Sequence, residues 1–162
     1  MATILNKKGS LFDAPEGSVL VHACNAQGMW GSGIAKEFAE RFPESYDSYK
    51  IICKLGPIVV GQGFVLGREN GQRVGCLITS ANYGQLRDSK DVILQNTRSA
   101  LRDLLGITGK LNCWIGQDEE IHSCKFNAGL FGVPWEETEK ILLEVLDEAG
   151  YNKVWTVWEK EN

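Results

Sequence analysis

The sequence predicts an α/β protein, a three-layer α/β/α sandwich around a central mixed sheet. Three observations carry that expectation. Apolar strand-like runs alternate with amphipathic helical stretches along most of the chain, the pattern of repeated βα units. One pair of strand-like runs flanks Glu69-Asn70-Gly71-Gln72, an Asn-Gly hairpin signal that puts an antiparallel neighbour into an otherwise parallel sheet. Two glycine-rich turns, Gly28 to Gly33 and Asn127 to Val133, each lead from the end of a strand into a helix. Open α/β sheets bind their ligands at such carboxyl-end junctions.

Taken in order, Ala2 to Leu5 reads as a short strand, and Asn6 to Gly17 as a loop punctuated by Gly9, Pro15 and Gly17. Ser18 to Ala23 is a continuous apolar strand of the kind buried on both faces. From about Gly33 a helix places Ile34, Ala35, Phe38, Ala39 and Phe42 on one stripe, and Pro43 ends it by forcing the preceding residue out of helical geometry. Glu44 to Cys53 is a second helix, and Pro57 to Leu66 and Arg73 to Thr79 are strands. Ser89 to Leu105 is helical and stops at Gly106. Leu111 to Ile115 and Ile121 to Phe126 are strand-like, Pro134 stands at a helix start before Trp135 to Ala149, and Val154 to Trp158 is the last strand.

At 162 residues the chain is expected to form a single domain over 1–162, large enough to bury a core without staples. A net charge of -4, from 17 basic and 21 acidic side chains, removes the electrostatic footprint of a general nucleic-acid binder. No segment approaches the ~20 apolar residues of a membrane span, and MATILNKKGSLFD lacks the apolar run of a signal peptide. A cytoplasmic monomer with access to the nucleus is expected. The five cysteines are an odd number scattered among apolar segments, which is not a disulfide framework, so they are read as reduced and buried.

His22 to Phe42, HACNAQGMWGSGIAKEFAERF, is the stretch around which a function can be built. A strand end, a glycine-rich turn and a helix N-terminus together aim backbone N–H groups and a positive dipole at one point, a seat for phosphate. The seat is not a Walker A loop, because Ile34 and Ala35 stand where Lys and Ser/Thr are needed. Nor does it carry the third glycine of the dinucleotide fingerprint. No Gly-x-Ser-x-Gly elbow exists. His22-Ala23-Cys24 and His122-Ser123-Cys124 raise the question of zinc, but the pairs lie far apart, and no metal or cofactor is expected. His22, at the lip of the first turn, is the best-placed base near neutral pH, with a core histidine as the competing reading. Tryptophans near the two turns suit a nucleotide base.

With those residues assembled, the chain resembles the macro domain, the ADP-ribose-binding α/β module. Val19-Leu20-Val21-His22-Ala23-Cys24-Asn25-Ala26 followed by Gly31-Ser32-Gly33-Ile34-Ala35 is similar to that family's first ligand loop, and Asn127-Ala128-Gly129-Leu130-Phe131-Gly132-Val133-Pro134-Trp135-Glu136 to its second. The similarity runs from Gly9 to Trp158 and is greatest with the small stand-alone branch that contains ADP-ribose 1''-phosphate phosphatases.

The resemblance implies a ligand site. Asn25, beside Ala23, would hydrogen-bond the distal ribose, and Gly31, Ser32, Gly33 and Ile34 would hold that ribose and its phosphate. Asn127, Ala128, Gly129, Leu130, Phe131 and Gly132 would wrap the diphosphate, and Trp158 would stack on adenine. Ser10, next to Leu11, occupies the place of an adenine-reading Asp. His22 and Asn25 become the implied catalytic pair. The implied activity is removal of the 1''-phosphate from ADP-ribose 1''-phosphate. The alternatives are a reader of free or protein-linked ADP-ribose, and a hydrolase acting on ADP-ribosylated protein. The last ranks lower, because Ser80 or Ala81 and Phe131 stand where such hydrolases carry a Lys and an Asp.

Overall fold

The computed structural model describes residues 2–56, 59–110, 115–116 and 118–161. Their strands are β1 (Thr3–Lys8), β2 (Val19–Asn25), β3 (Gly63–Val65), β4 (Arg73–Ser80), β5 (Ile121–Ser123) and β6 (Val154–Glu159). Their helices are α1 (Gly33–Arg41), α2 (Pro43–Leu55), α3 (Lys90–Leu104) and α4 (Trp135–Glu148), with 3-10 turns at Leu11–Asp13 and Gly84–Leu86. The sheet order is β1-β6-β5-β2-β4-β3, parallel throughout except for β3, which runs antiparallel to β4. The sheet is therefore mixed, with the hairpin at Asn70-Gly71 supplying its antiparallel edge, as expected.

Alternation along the central strands builds the two outer layers. Val19 and Val21 of β2 and Leu77 of β4 point into a core closed by Leu101 and Leu104 of α3 and Leu142, Val145 and Leu146 of α4. Leu20 and Cys24, with Val74, Cys76 and Ile78, point the other way, into a core closed by Phe38 of α1, Phe42 just after it and Tyr49 of α2. Because β2 is apolar on both faces, it can sit at the middle of the sheet. Carboxyl ends of β2, β4, β5 and β6 consequently lie along one edge.

Three expectations are refined. β1 continues to Lys8 rather than ending at Leu5: it is an edge strand whose outer residues are exposed and charged, so apolar content does not mark its length. Pro43 does not simply stop a helix. Phe42, at φ -128°, caps the end of α1 and the start of α2, with Pro43 as the first residue of α2, where its missing N–H costs nothing. The strand expected over Pro57 to Leu66 is the shorter β3; Pro57 itself, and Leu111 to Trp114 of the strand expected up to Ile115, lie outside the described residues.

Candidate functional site

A cavity of about 990 Å³ opens at the carboxyl edge of the sheet, between the loops that follow β2, β4 and β5. Ala23, Cys24 and Asn25 at the end of β2 form its floor side, Gly31 to Ala35 one wall, and Asn127, Gly129, Leu130 and Phe131 the wall opposite. The two glycine-rich turns that the sequence singles out thus face each other across one space.

The first loop is shaped from within by Asn25. Its carboxamide nitrogen donates to the Met29 carbonyl at 2.8 Å and its carboxamide oxygen accepts from the Gln27 amide at 2.9 Å, while the Tyr49 hydroxyl donates to the Asn25 main-chain carbonyl at 2.5 Å. A carboxamide has two N–H donors, so one is left for a ligand. Ser32 caps α1 with extended backbone but makes no capping bond with its side chain, and α1 has no acidic residue in its first turn. Glu44, Asp91 and Glu136 sit in the first turns of α2, α3 and α4. Alone of the four helices, α1 leaves the positive end of its dipole without a carboxylate.

The second loop is held by Asn127, which adopts φ +69° and is 4% exposed. Its carboxamide accepts from Thr79 of β4 at 2.9 Å and donates to Thr97 of α3 at 2.8 Å. The loop then closes on itself through Val133 N–H to the Asn127 carbonyl (2.9 Å) and Gly132 N–H to the Gly129 carbonyl (3.0 Å). Among the described residues none accepts a hydrogen bond from the amides of Gly31, Ser32 and Gly33, nor from those of Gly129, Leu130 and Phe131. Backbone donors left open on both sides of a cavity form an anion receptor.

A third loop, from Ala81 to Asp88, is absent from the sequence-derived site. Tyr83, Gly84, Gln85 and Arg87 line the cavity from it. Ser80 donates its hydroxyl to the Asn82 carbonyl (2.6 Å) and accepts from the Asp88 amide (3.0 Å), while the Asp88 carboxylate accepts from the Ala81 amide (2.8 Å). Arg87 donates to the Gly84 carbonyl at 3.0 Å and reaches toward Gly132 of the second loop, where an added Cβ would lie 3.8 Å from its guanidinium. Lys125, the other cation of the walls, is paired with Glu159 at 3.1 Å. The signal for this loop was present in Ser80-Ala81-Asn82-Tyr83-Gly84, turn residues directly after a buried strand.

The expected roles of His22 and Trp158 need correction, and four further expected residues stand outside the walls. His22 does not face the cavity. Its ring is fully buried, stacked on Phe38 with centroids 3.9 Å apart and edge-on to Trp30 at 4.9 Å, because β2 turns it toward α1. A ring so enclosed cannot exchange protons with a ligand above it. Trp158 does not line the cavity either: its indole N–H donates to His122 Nδ1 at 2.9 Å, Lys7 lies over its ring at 4.8 Å, and the ring packs on Gly9. Ser10, whose hydroxyl accepts from the Phe12 amide at 3.2 Å, and the buried Leu11 stand near Trp158 but outside the walls. Ala128 and Gly132 belong to the second loop without forming wall.

Beneath the floor, the thiols are tuned apart. Burial alone would raise Cys24, but the hydrogen bond from Cys76, the charge of His22 and the Trp30 N–H outweigh it and hold this thiol well below the ordinary range. Cys76 is pushed up by its burial and by Cys24. The two His-x-Cys pairs lie on neighbouring strands but form no common ligand cluster among the described residues: His122 is engaged by Trp158 and lies 3.2 Å from Glu120.

A family model described as Macro domain matches residues 21–142. The chain is similar to an ADP-ribose 1''-phosphate phosphatase of Neosartorya fischeri, 34% identical over 180 aligned positions that cover 88% of each chain. Its backbone is similar to the macrodomain of Mycobacterium tuberculosis DarG, with a TM-score of 0.75, 24% identity, and 97% and 98% of the two chains covered. It is also similar to Thermosipho africanus DarTG solved in complex with ADP-ribose, with a TM-score of 0.66 and 17% identity, covering 88% of this chain and 38% of that one.

Proposed function

Because the chain belongs to the macro domain family, we propose that it binds ADP-ribose-type ligands in this cavity and removes the 1''-phosphate from ADP-ribose 1''-phosphate. The observation that carries this reading is the pair of facing loops whose amides have no acceptor among the described residues. The second loop takes the diphosphate, and Asn25 offers its free N–H to the distal ribose. The first loop and the uncompensated N-terminus of α1 take the terminal phosphate, with Arg87 as the cation at hand.

Phosphoryl transfer needs little covalent help from a protein. Positioning of the ester for in-line attack by water, and donors aimed at oxygens that gain charge, supply most of the acceleration. Water attacks phosphorus as the bond from phosphorus to the anomeric oxygen breaks, and a proton from that water passes through solvent or the phosphate to the anomeric oxygen, which leaves as the hydroxyl of ADP-ribose. His22 contributes from beneath, holding Cys24 in the wall. That the protein works as a cytosolic monomer is part of the same proposal.

Measuring ADP-ribose binding and phosphate release on one sample tests the proposal. Binding together with release supports it; binding without release leaves a reader module. That second reading is favoured by one feature: among the described wall residues there is no carboxylate to act as a base. Hydrolysis of ADP-ribose from protein side chains ranks below both, because Ser80 is tied into its own loop. An assay on glutamate-modified protein checks that ranking.

A further inference from the structure

We infer that His22, Cys24 and Cys76 form a binding site for a thiophilic d10 divalent cation of the zinc class, set under the floor of the cavity. This departs from the expectation of no metal and does not depend on the phosphatase reading. The site differs from the one the two His-x-Cys pairs suggest. One pair supplies two ligands, and the third comes from the neighbouring strand, where Cys76 of β4 stands directly opposite His22 of β2.

Three observations support it. The ligand atoms of all three residues lie within 4.8 Å of one another, and all three side chains are at most 2% exposed. The Cys24 sulfur is 3.5 Å from His22 Nε2. Tetrahedral zinc, with Zn–S about 2.3 Å and Zn–N about 2.05 Å, sets its sulfur and nitrogen ligands about 3.5 Å apart. The surroundings also fix the ligand: Phe38 stacks on the imidazole with centroids 3.9 Å apart and sets its plane, and Trp30, edge-on to the same ring at 4.9 Å, closes the other side.

The obvious alternative, a Cys24–Cys76 disulfide, fits poorly. Cys24 pairs across the strands with Ile78, so Cys76 lies diagonally from it. With strands about 4.8 Å apart and two residues rising about 6.6 Å, the Cα atoms are about 8 Å apart, beyond the ~7 Å that a disulfide spans. A cation of about 2.3 Å bond length bridges sulfurs that a covalent bond does not reach. Three protein ligands leave a fourth position, and Cys24 is itself a wall residue of the cavity.

The test is titration of chelator-stripped full-length protein with zinc(II) against a chromophoric chelator, and with cadmium(II) followed by its thiolate charge-transfer band. X-ray absorption at the zinc edge then counts the scatterers. One metal per chain is expected, with two sulfurs and one imidazole nitrogen. Cys76→Ser should weaken binding by at least about 100-fold and remove one sulfur, because a ligand is lost. Cys53→Ser, outside the cluster, should leave binding within about threefold. The inference is overturned if wild-type protein shows no saturable binding, or if Cys76→Ser binds as tightly as wild type. If Cys76→Ser does not fold by circular dichroism, the wild-type absorption edge decides, and a shell holding fewer than two sulfurs overturns it.

Discussion

Thr79 of β4 donates its hydroxyl to the Asn127 carboxamide at 2.9 Å, fastening the residue that begins the second ligand loop to the sheet. Thr97 completes the clamp from α3 at 2.8 Å, so sheet, helix and loop meet on one side chain.

Asn127→Ala should cost about 3 kcal/mol, combining the buried Thr79 hydroxyl left without its acceptor and the lost bond to Thr97 with the strain of an alanine at φ +69°. Asn127→Gly loses the same bonds without the strain and should recover about 1 kcal/mol. Urea unfolding of both variants separates the two parts; equal stabilities would remove backbone strain from the account.

Gly129 lines the cavity, and a Cβ built on it meets no atom within 4 Å. Gly129→Val should therefore fold, with a stability change within about 1 kcal/mol, while filling space that a ligand needs. Calorimetric affinity for ADP-ribose is expected to fall by more than about tenfold, the equivalent of 1.4 kcal/mol. Unchanged affinity would place the ligand elsewhere.

Arg87 has no carboxylate partner among the described ion pairs, unlike Lys125. Arg87→Ala should raise KM for ADP-ribose 1''-phosphate by about tenfold or more, since a charge-assisted bond to phosphate contributes roughly 1.5–3 kcal/mol. ADP-ribose itself should lose less than about threefold. Equal losses for the two ligands would show that Arg87 does not read the terminal phosphate.

Burial pushes the Cys124 thiol from 9.0 up to about 12, and Cys53, from the same value, to about 11. A thiol whose folded value is raised holds its proton in the native state after the unfolded chain has lost it. Its contribution is complete below the unfolded value of 9.0 and drains away as pH rises toward about 12. Unfolding free energy should decline through that window, and Cys124→Ser should make the decline shallower. An identical slope in the variant would contradict this assignment.

The layers were legible because their cause is local. Glycine and proline punctuation, with stripes such as Ile34, Phe38 and Phe42, fixes where strands end and helices start, and parallel strands bring those ends to one edge. What escaped was orientation. The sequence places His22 at the lip of a turn, but only the pleat of β2 decides that its ring turns under α1 and away from the cavity. Trp158 is likewise beside the site in sequence logic, while its indole is committed to His122 across the sheet. The Ala81 to Asp88 loop was missed for another reason. The turn residues after β4 mark a loop there, but its order comes from Ser80 and Asp88 side chains bonding to backbone within it, and that bonding, unlike a glycine-rich turn, does not mark the loop as a cavity wall.

The open amides of the two loops carry a consequence for how this protein tolerates change. A receptor assembled from main-chain N–H groups offers mutagenesis no side chain to delete, so alanine scanning across Gly31 to Gly33 and Gly129 to Phe131 will under-report it. The same property makes recognition of the anion resistant to sequence drift: residues on these loops can be exchanged wherever the backbone path survives. Replacing a single amide by an ester through semisynthesis would silence one donor at a time, and would reveal how the grip is divided between the two sides.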